Sequence, residues 1–487
     1  MTKKLKIVSV SAEVYPFSKS GGLADVARSL PRALKELGYD VIAITPFYSQ
    51  LIDPKKHNLK PVYQNVAIKV DDQHTVKVSY HKGYLKKDLP IYFVGNDQYF
   101  SKKKSLYGST HENRRFYLFN LAALKLITLI KFPADIIHCH DWHTGLIPEL
   151  LKKQFPESKN LKNAKSIFTI HNLTFQMGAN WWEVPLEKKD YGRKALPLFT
   201  DPDIEYINFA KRGILNADII NTVSEQYAEE ILTKDFGQDL HRILTNKKNR
   251  LFGIVNGIEE KEYNPSTDPG LAKNYSLESI YFKKQNKEAL QKHFRLPLKP
   301  ETPLIGMTSR LVEQKGLDLL VKILPPLLVE DIQFIFMGDG DKRYINQINK
   351  FQKLHPKKIA YSNFDQQRET GIYAGADILL LPSRFEPCGL NQLKAMRYGC
   401  IPIVHKIGGL ADTIEDFDFQ KKTGNGFVFK RYNEYRLLMI VTRALFIFQI
   451  KDDWKKLVET AMKVSSSWKI PAKKYLALYK NALKNNS

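Results

Sequence analysis

Short runs of consecutive apolar residues alternate along the chain with longer segments whose apolar positions recur every three or four residues. "LKIVSV" (5–10) reads as a buried strand. The segment after it, "LADVARSLPRALKELG", puts Leu23, Val26, Ala27, Leu30, Ala33, Leu34 and Leu37 on one helical face. Gly38 supplies the stop signal, and "DVIAIT" begins the next strand. Further on, "DIIHCHDWHTG" and "SIFTIHN" read as strand ends running into loops, and "ADIINTVSEQYAEEIL" as strand, cap and helix. The alternation lapses into turn residues around "LFGIVNGIEEKEYNPSTDPG", a hinge signal. A second series then begins: "PLIGMTS", "QFIFMGDG", "KIAYS", "ADILLLPS" and "CIPIVHK", each followed by a helical segment. Near-continuous apolar strands separated by helices predict parallel sheets covered on both faces. The chain is thus α/β, with two doubly wound Rossmann-like domains at residues 1–245 and 246–464. Residues 465–487 read as a C-terminal helix, with packing back on the first domain as one option. Ligands are expected beyond the carboxyl ends of strands and in a cleft between domains.

Composition adds limits. Hydrophobic residues make up 43% and charged residues 26% of the 487 positions, as in a globular protein. "LLMIVTRALFIFQI" is interrupted by Arg443 and is too short to span a bilayer, so it reads as a buried helix. No signal peptide is visible. Cys139, Cys388 and Cys400 have neither disulfide-framework nor zinc-motif spacing, which fits a reducing cytoplasm. The net charge of +24 raises the question of nucleic acid. The lysines are scattered, however, without aromatic interleaving, so a generally basic surface is expected rather than a specific nucleic-acid interface.

Several strand ends carry candidate chemistry. In "FSKSGGLADV", Lys19 precedes Gly21 and Gly22 at a helix start, where free N–H groups and the helix dipole favour an anion. A tight turn with a solvated lysine is the alternative. Arg310 and Lys315 follow the strand "PLIGMTS" and make a second anion site, or a solvated loop. Glu386 sits in the turn of "LLLPSRFEPCGLNQL", where its carboxylate suits sugar hydroxyls or, alternatively, a helix cap. "HKIGGLADTI" repeats the strand, Gly-Gly, helix device at Gly408 and Gly409. In "HCHDWH", His138, His140, Asp141 and His143 approach the HxHxDH run of zinc hydrolases, but the aspartate is one place early and no downstream histidine set is obvious. Asp201 and Asp203 in "DPDIE" have the DxD spacing, yet the proline favours an ordinary turn. Cys388 lacks a neighbouring histidine and reads as a buried thiol rather than a nucleophile.

Together these motifs resemble one family, the bacterial glycogen synthases and plant starch synthases. "KSGGLADV", "HDWHTGL", "TIHNL", "NTVSEQYAEEI", "VNGIEEKEYNPSTD", "SRLVEQKGLD", "ADILLLPSRFEPCGLNQLKAMRYG" and "GGLADT" stand in the family's order, across almost the whole chain. The resemblance implies a GT-B fold, two Rossmann-like domains facing a deep interdomain cleft. It also implies metal-independent, retaining transfer of glucose from ADP-glucose to the non-reducing-end 4-OH of an α-1,4-glucan, glycogen or starch. No cofactor or metal is expected, and the partners are the nucleotide sugar and the glucan. By the same resemblance, Lys19 and Gly22 face the donor phosphates, and Arg310 and Lys315 neutralise the leaving ADP. Glu386 holds the glucose hydroxyls, with added contacts from the N–H groups of Cys388, Gly389 and Leu390. Asp141, His171 and Asn256 surround the reacting carbon and acceptor, the backbone carbonyl of His171 stabilising the oxocarbenium-like centre. Phe364 takes the place of an aromatic that packs on adenine. There are departures: "HNLTFQMG" for the family's "HNLAYQG", Thr370 for a histidine, and Lys394 where other GT-B enzymes carry the second glutamate of E-x7-E, a glutamate that synthases of this family commonly lack too. The alternatives are a UDP-glucose-dependent GT-B enzyme and a catalytically silent glucan-binding relative.

Overall fold

The computed structural model describes residues 4–101 and 105–484. The chain forms two compact units, one of residues 1–256 and 468–487, the other of 257–467. The first is built on a nine-stranded sheet. Its strands are β1 (Lys6–Val10), β2 (Asp40–Pro46), β3 (Lys60–Lys69), β4 (Thr75–Lys86), β5 (Leu89–Gly95), β6 (Ile136–His140), β7 (Lys165–Ile170), β8 (Ile219–Thr222) and β9 (Leu251–Gly253). Their order is β3-β4-β5-β2-β1-β6-β7-β8-β9. Only the β3–β4 and β4–β5 pairs are antiparallel. The chain winds from β1 to one side and, from β6, to the other, so the strand order reverses between β1 and β6. Such a switch point opens a crevice at the strands' carboxyl ends. Because β9 extends the sheet past residue 245, the first unit runs on to Asn256.

Alternation along the central strands supplies two faces. Ile7, Ile136, Ile167 and Ile219 belong to one buried cluster. Their successors Val8, Ile137, Phe168 and Ile220 belong to another. The first cluster is completed by Trp468, Ala472, Tyr475 and Tyr479. The chain therefore returns at its end, and the helix Lys469–Lys484 covers one face of the first sheet.

The second unit holds a six-stranded sheet, wholly parallel, of β10 (Leu304–Thr308), β11 (Gln333–Met337), β12 (Ile359–Ser362), β13 (Ile378–Leu381), β14 (Ile401–His405) and β15 (Phe427–Phe429). The order β12-β11-β10-β13-β14-β15 puts its switch point between β10 and β13. The apolar stretch read as a buried helix is the helix Glu434–Gln449, with one face only in the core. Leu437, Ile440, Val441, Ala444, Ile447 and Phe448 are buried. Tyr435, Met439 and Phe446 are exposed. Among the described residues no helix is long and apolar enough to cross a membrane.

Candidate active site

In the first unit, "KSGG" connects β1 to the helix Gly22–Glu36 at the switch point. The Gly21 backbone is extended, and a Cβ there would meet no atom within 4 Å. Lys19 is held over its own helix: Nζ lies 2.8 Å from each carboxylate oxygen of Asp25 and 5.2 Å from the Tyr15 ring centre. Beneath the loop sits Glu13, only 2% exposed. Its carboxylate accepts the Ser20 N–H. Burial pushes the Glu13 carboxyl up to about 7, although the Ser20 hydrogen bonds pull the other way.

Asp141 directly follows β6 and has a left-handed φ of 59°. This backbone turn directs its carboxylate to the end of β7, where Oδ1 accepts the His171 N–H at 2.7 Å. Burial also raises the Asp141 carboxyl to about 7, and the nearby charge of Glu13 adds to the rise. His171 Nε2 lies 3.0 Å from His140 Nδ1, and the His140 ring stacks on His138 at 4.1 Å. His138 Nδ1 is in turn 2.8 Å from the Tyr479 hydroxyl of the last helix. Burial keeps these imidazoles neutral, with His140 lowered to about 3 and His138 and His171 well below their usual value. The histidines of "HCHDWH" thus face different protein partners. His138 Nε2 meets Thr169 at 2.6 Å, and His143 stacks on Trp142 at 4.1 Å. Asp201 caps the short helix Pro202–Tyr206, taking the Asp203 N–H at 2.8 Å, which is an ordinary turn. Asn256 is buried, and its side-chain oxygen has no hydrogen-bond partner among the described residues.

In the second unit, Lys315 Nζ lies 2.5 Å from Glu386 Oε2, which also accepts the Ser383 hydroxyl at 3.1 Å. The pair spans the switch point, one residue following β10 and the other β13. Glu386 does not cap the ensuing helix, which begins at Asn391 with Leu390 before it. Arg310 is exposed nearby and donates to Gln314 at 3.4 Å. Gly389 has φ 68°, a left-handed turn that favours glycine. The Gln392 side-chain amide ties the turn down by donating to the carbonyls of Cys388 (3.1 Å) and Gly389 (3.0 Å). Cys388 is buried, as its sequence context suggested.

The second Gly-Gly pair faces main chain. A Cβ on Gly408 would come 2.0 Å from the Glu386 carbonyl, and one on Gly409 2.0 Å from that of Cys388. The Gly409 N–H donates to the carbonyls of Glu386 and Pro387, each at 3.2 Å. These glycines let the β14 loop press against the Glu386 turn and hold it in place. Phe364, 47% exposed, projects from the loop after β12, beside a cavity of about 940 Å3 whose lining includes His293, Asn363 and Arg368. The sequence reading missed Glu13, Asp25, Ser383 and Gln392. Their partners lie in loops whose approach is visible only in three dimensions, though Glu13, a lone acid ending an apolar strand, was a usable signal.

The starch synthase catalytic domain family matches residues 6–246, and the glycosyl transferases group 1 family matches residues 289–456. The chain is 40% identical to a glycogen synthase of Thermotoga petrophila, covering 98% of this chain and 99% of that one. It is 41% identical to the glycogen synthase of Thermosipho melanesiensis, with the same coverage. Among solved structures it matches the catalytic domain of starch synthase IV from Arabidopsis thaliana bound to ADP and acarbose. That match has a TM-score of 0.87 and 30% identity over 99% of this chain and 100% of the other. The two-unit α/β architecture is that of the GT-B glycosyltransferases, and this chain belongs to the glycogen and starch synthase family.

Proposed function

We propose that the chain transfers glucose from ADP-glucose, with retention, to the non-reducing-end 4-OH of an α-1,4-glucan, without a metal or other cofactor. The observation that carries this reading is the Lys315–Glu386 pair at the switch point of the second sheet. A cation and a carboxylate held together there supply the two things the transfer needs. Lys315, with Arg310, is assigned to the diphosphate, where positive charge stabilises the departing ADP. Glu386 is assigned to the glucose hydroxyls, and its charge favours positive character developing at the anomeric carbon. The ADP in the related starch synthase IV structure supports adenine as the base, with Phe364 as the packing surface.

In the first unit, Asp141 fixes the His171 backbone through its N–H. The reading assigns the His171 carbonyl to the oxocarbenium-like centre, and Asp141 and Asn256 to the surroundings of the acceptor. Lys19 and Gly22 are assigned to the donor phosphates, Lys19 exchanging Asp25 for the ligand. The backbone N–H groups of Cys388, Gly389 and Leu390 add donor contacts, while Gly408 and Gly409 support the turn that presents them. The test is incorporation of labelled glucose into glycogen from ADP-glucose and UDP-glucose side by side, with the new linkage assigned by NMR. ADP-glucose is expected to be the better donor and the linkage α-1,4. A clear preference for UDP-glucose, a β linkage, or no transfer from either donor would contradict the reading.

A further inference from the structure

Position 394 carries a lysine where other GT-B enzymes have the second glutamate of E-x7-E, and the structure shows what that lysine does. It lies on the helix Asn391–Arg397, which continues directly from the Glu386 turn. Its side chain is 6% exposed, with Nζ 3.0 and 3.2 Å from the two carboxylate oxygens of Glu369, itself 12% exposed. The Tyr263 ring centre lies 4.5 Å from the ammonium, and the Tyr373 hydroxyl donates to Glu369 at 2.7 Å. Glu369 opens the helix Glu369–Gly375 immediately after the loop that carries Phe364. That loop is exposed from Asn363 to Phe364 and from Gln366 to Arg368, and the Phe364 N–H reaches Asp339 at a long 3.3 Å. The buried ion pair therefore fastens the end of the Phe364 loop to the helix that begins at the Glu386 turn.

We propose that Lys394 and Glu369 are positioning residues that set the spacing between the Phe364 loop and the Glu386 turn, and so fix the donor's nucleoside relative to its glucosyl group. This rests on the reading of the second unit as the nucleotide-sugar site. The charges are mutually required. A glutamate at 394 facing Glu369 would set two carboxylates against each other in a poorly solvated place, and removing either partner takes from a buried ion its countercharge at 3.0 Å. Exchanging the two residues keeps the opposite signs and gives up the contact of the Tyr263 ring with the ammonium.

The experiment measures ADP affinity by calorimetry, donor and glucan KM, and thermal midpoint for the full chain and three variants: K394M, K394R and the exchanged pair K394E/E369K. K394M is expected to weaken ADP binding and raise donor KM about tenfold, with glucan KM unchanged. K394R and the exchanged pair are expected to recover most of that loss. Should K394M fail to fold, the exchanged pair decides: ADP binding close to wild type supports the proposal, and a folded pair without it overturns the proposal. K394M that binds ADP as the wild type does, or whose glucan KM rises in step with donor KM, also overturns it. Failure of the wild type itself to bind ADP overturns the donor reading, and this proposal with it, whereas equal binding by wild type and K394M overturns this proposal alone.

Discussion

Glu386 is held on one side by Lys315 and Ser383, and its turn is clamped by Gln392 and the Gly408–Gly409 loop. In the role proposed for it, a carboxylate so fixed would need no reorganisation as charge develops on the sugar, so its effect is expected in kcat more than in KM. Replacing Glu386 with Gln keeps the size and removes the charge. The expected result is a fall of about a hundredfold in kcat, the scale for losing one electrostatic stabiliser. Steady-state kinetics with a melting curve check it, and near-normal kcat would make the side chain structural. Glu13 offers a separate test through pH. Its folded pKa, about 7, lies above the ordinary 4.5, so the folded state holds the proton more tightly. The stability this lends is fully present below pH 4.5 and is lost as pH rises from there to about 7. Glu13→Gln removes the titration and keeps an oxygen acceptor for the Ser20 N–H. Its stability relative to the wild type should improve by on the order of 2–3 kcal/mol between pH 5 and pH 8. Denaturant titration at the two pH values measures this, and an unchanged difference would contradict it.

At the scale of elements, the two Gly-Gly loops look alike in sequence and differ in what they meet. Gly21 has open space where a Cβ would be, whereas Gly409 has the Cys388 carbonyl. Gly409→Ala should displace the Glu386 turn, lowering kcat at least tenfold and the thermal midpoint by several degrees. Gly21→Ala should leave the midpoint within a degree or two. Equal melting behaviour of the two variants would show that the packing at Gly409 relaxes freely. The contrast also marks what the sequence makes legible. Buried parallel strands declare themselves as apolar runs, and the loops after β1, β6, β10, β13 and β14 were found because each run ends in polar or glycine residues. The hairpin of β3 and β4 leaves no continuous apolar run: β3 is mostly exposed and interrupts its apolar positions with Gln64 and Asn65, and β4 alternates apolar Val76, Val78 and Tyr80 with polar residues. Contacts between distant segments were equally hidden. Neither Gly408 and Gly409 against Glu386 and Cys388 nor Tyr479 against His138 leaves a local period to read. Lys394 stands out in the sequence as a departure, but its partner Glu369 lies 25 residues away on a helix that only the fold sets beside it.

The whole molecule carries a net charge of +24. Lysines paired with acids recur across both units, as at Lys69–Asp72, Lys248–Glu229, Lys299–Asp331 and Lys474–Glu225. Exposed pairs of this kind add little stability each. The surplus positive charge instead gives a field that favours an anionic nucleotide sugar and asks nothing of the neutral glucan. The proposed function uses positive charge in the same way, assigning to Lys19, Arg310 and Lys315 the neutralisation that a divalent ion would otherwise supply. The most direct test is the initial rate of glucosyl transfer from ADP-glucose to glycogen, measured with and without excess EDTA on protein purified in chelator. The account predicts the same rate in both conditions. A rate abolished by EDTA and restored by magnesium or manganese would contradict it.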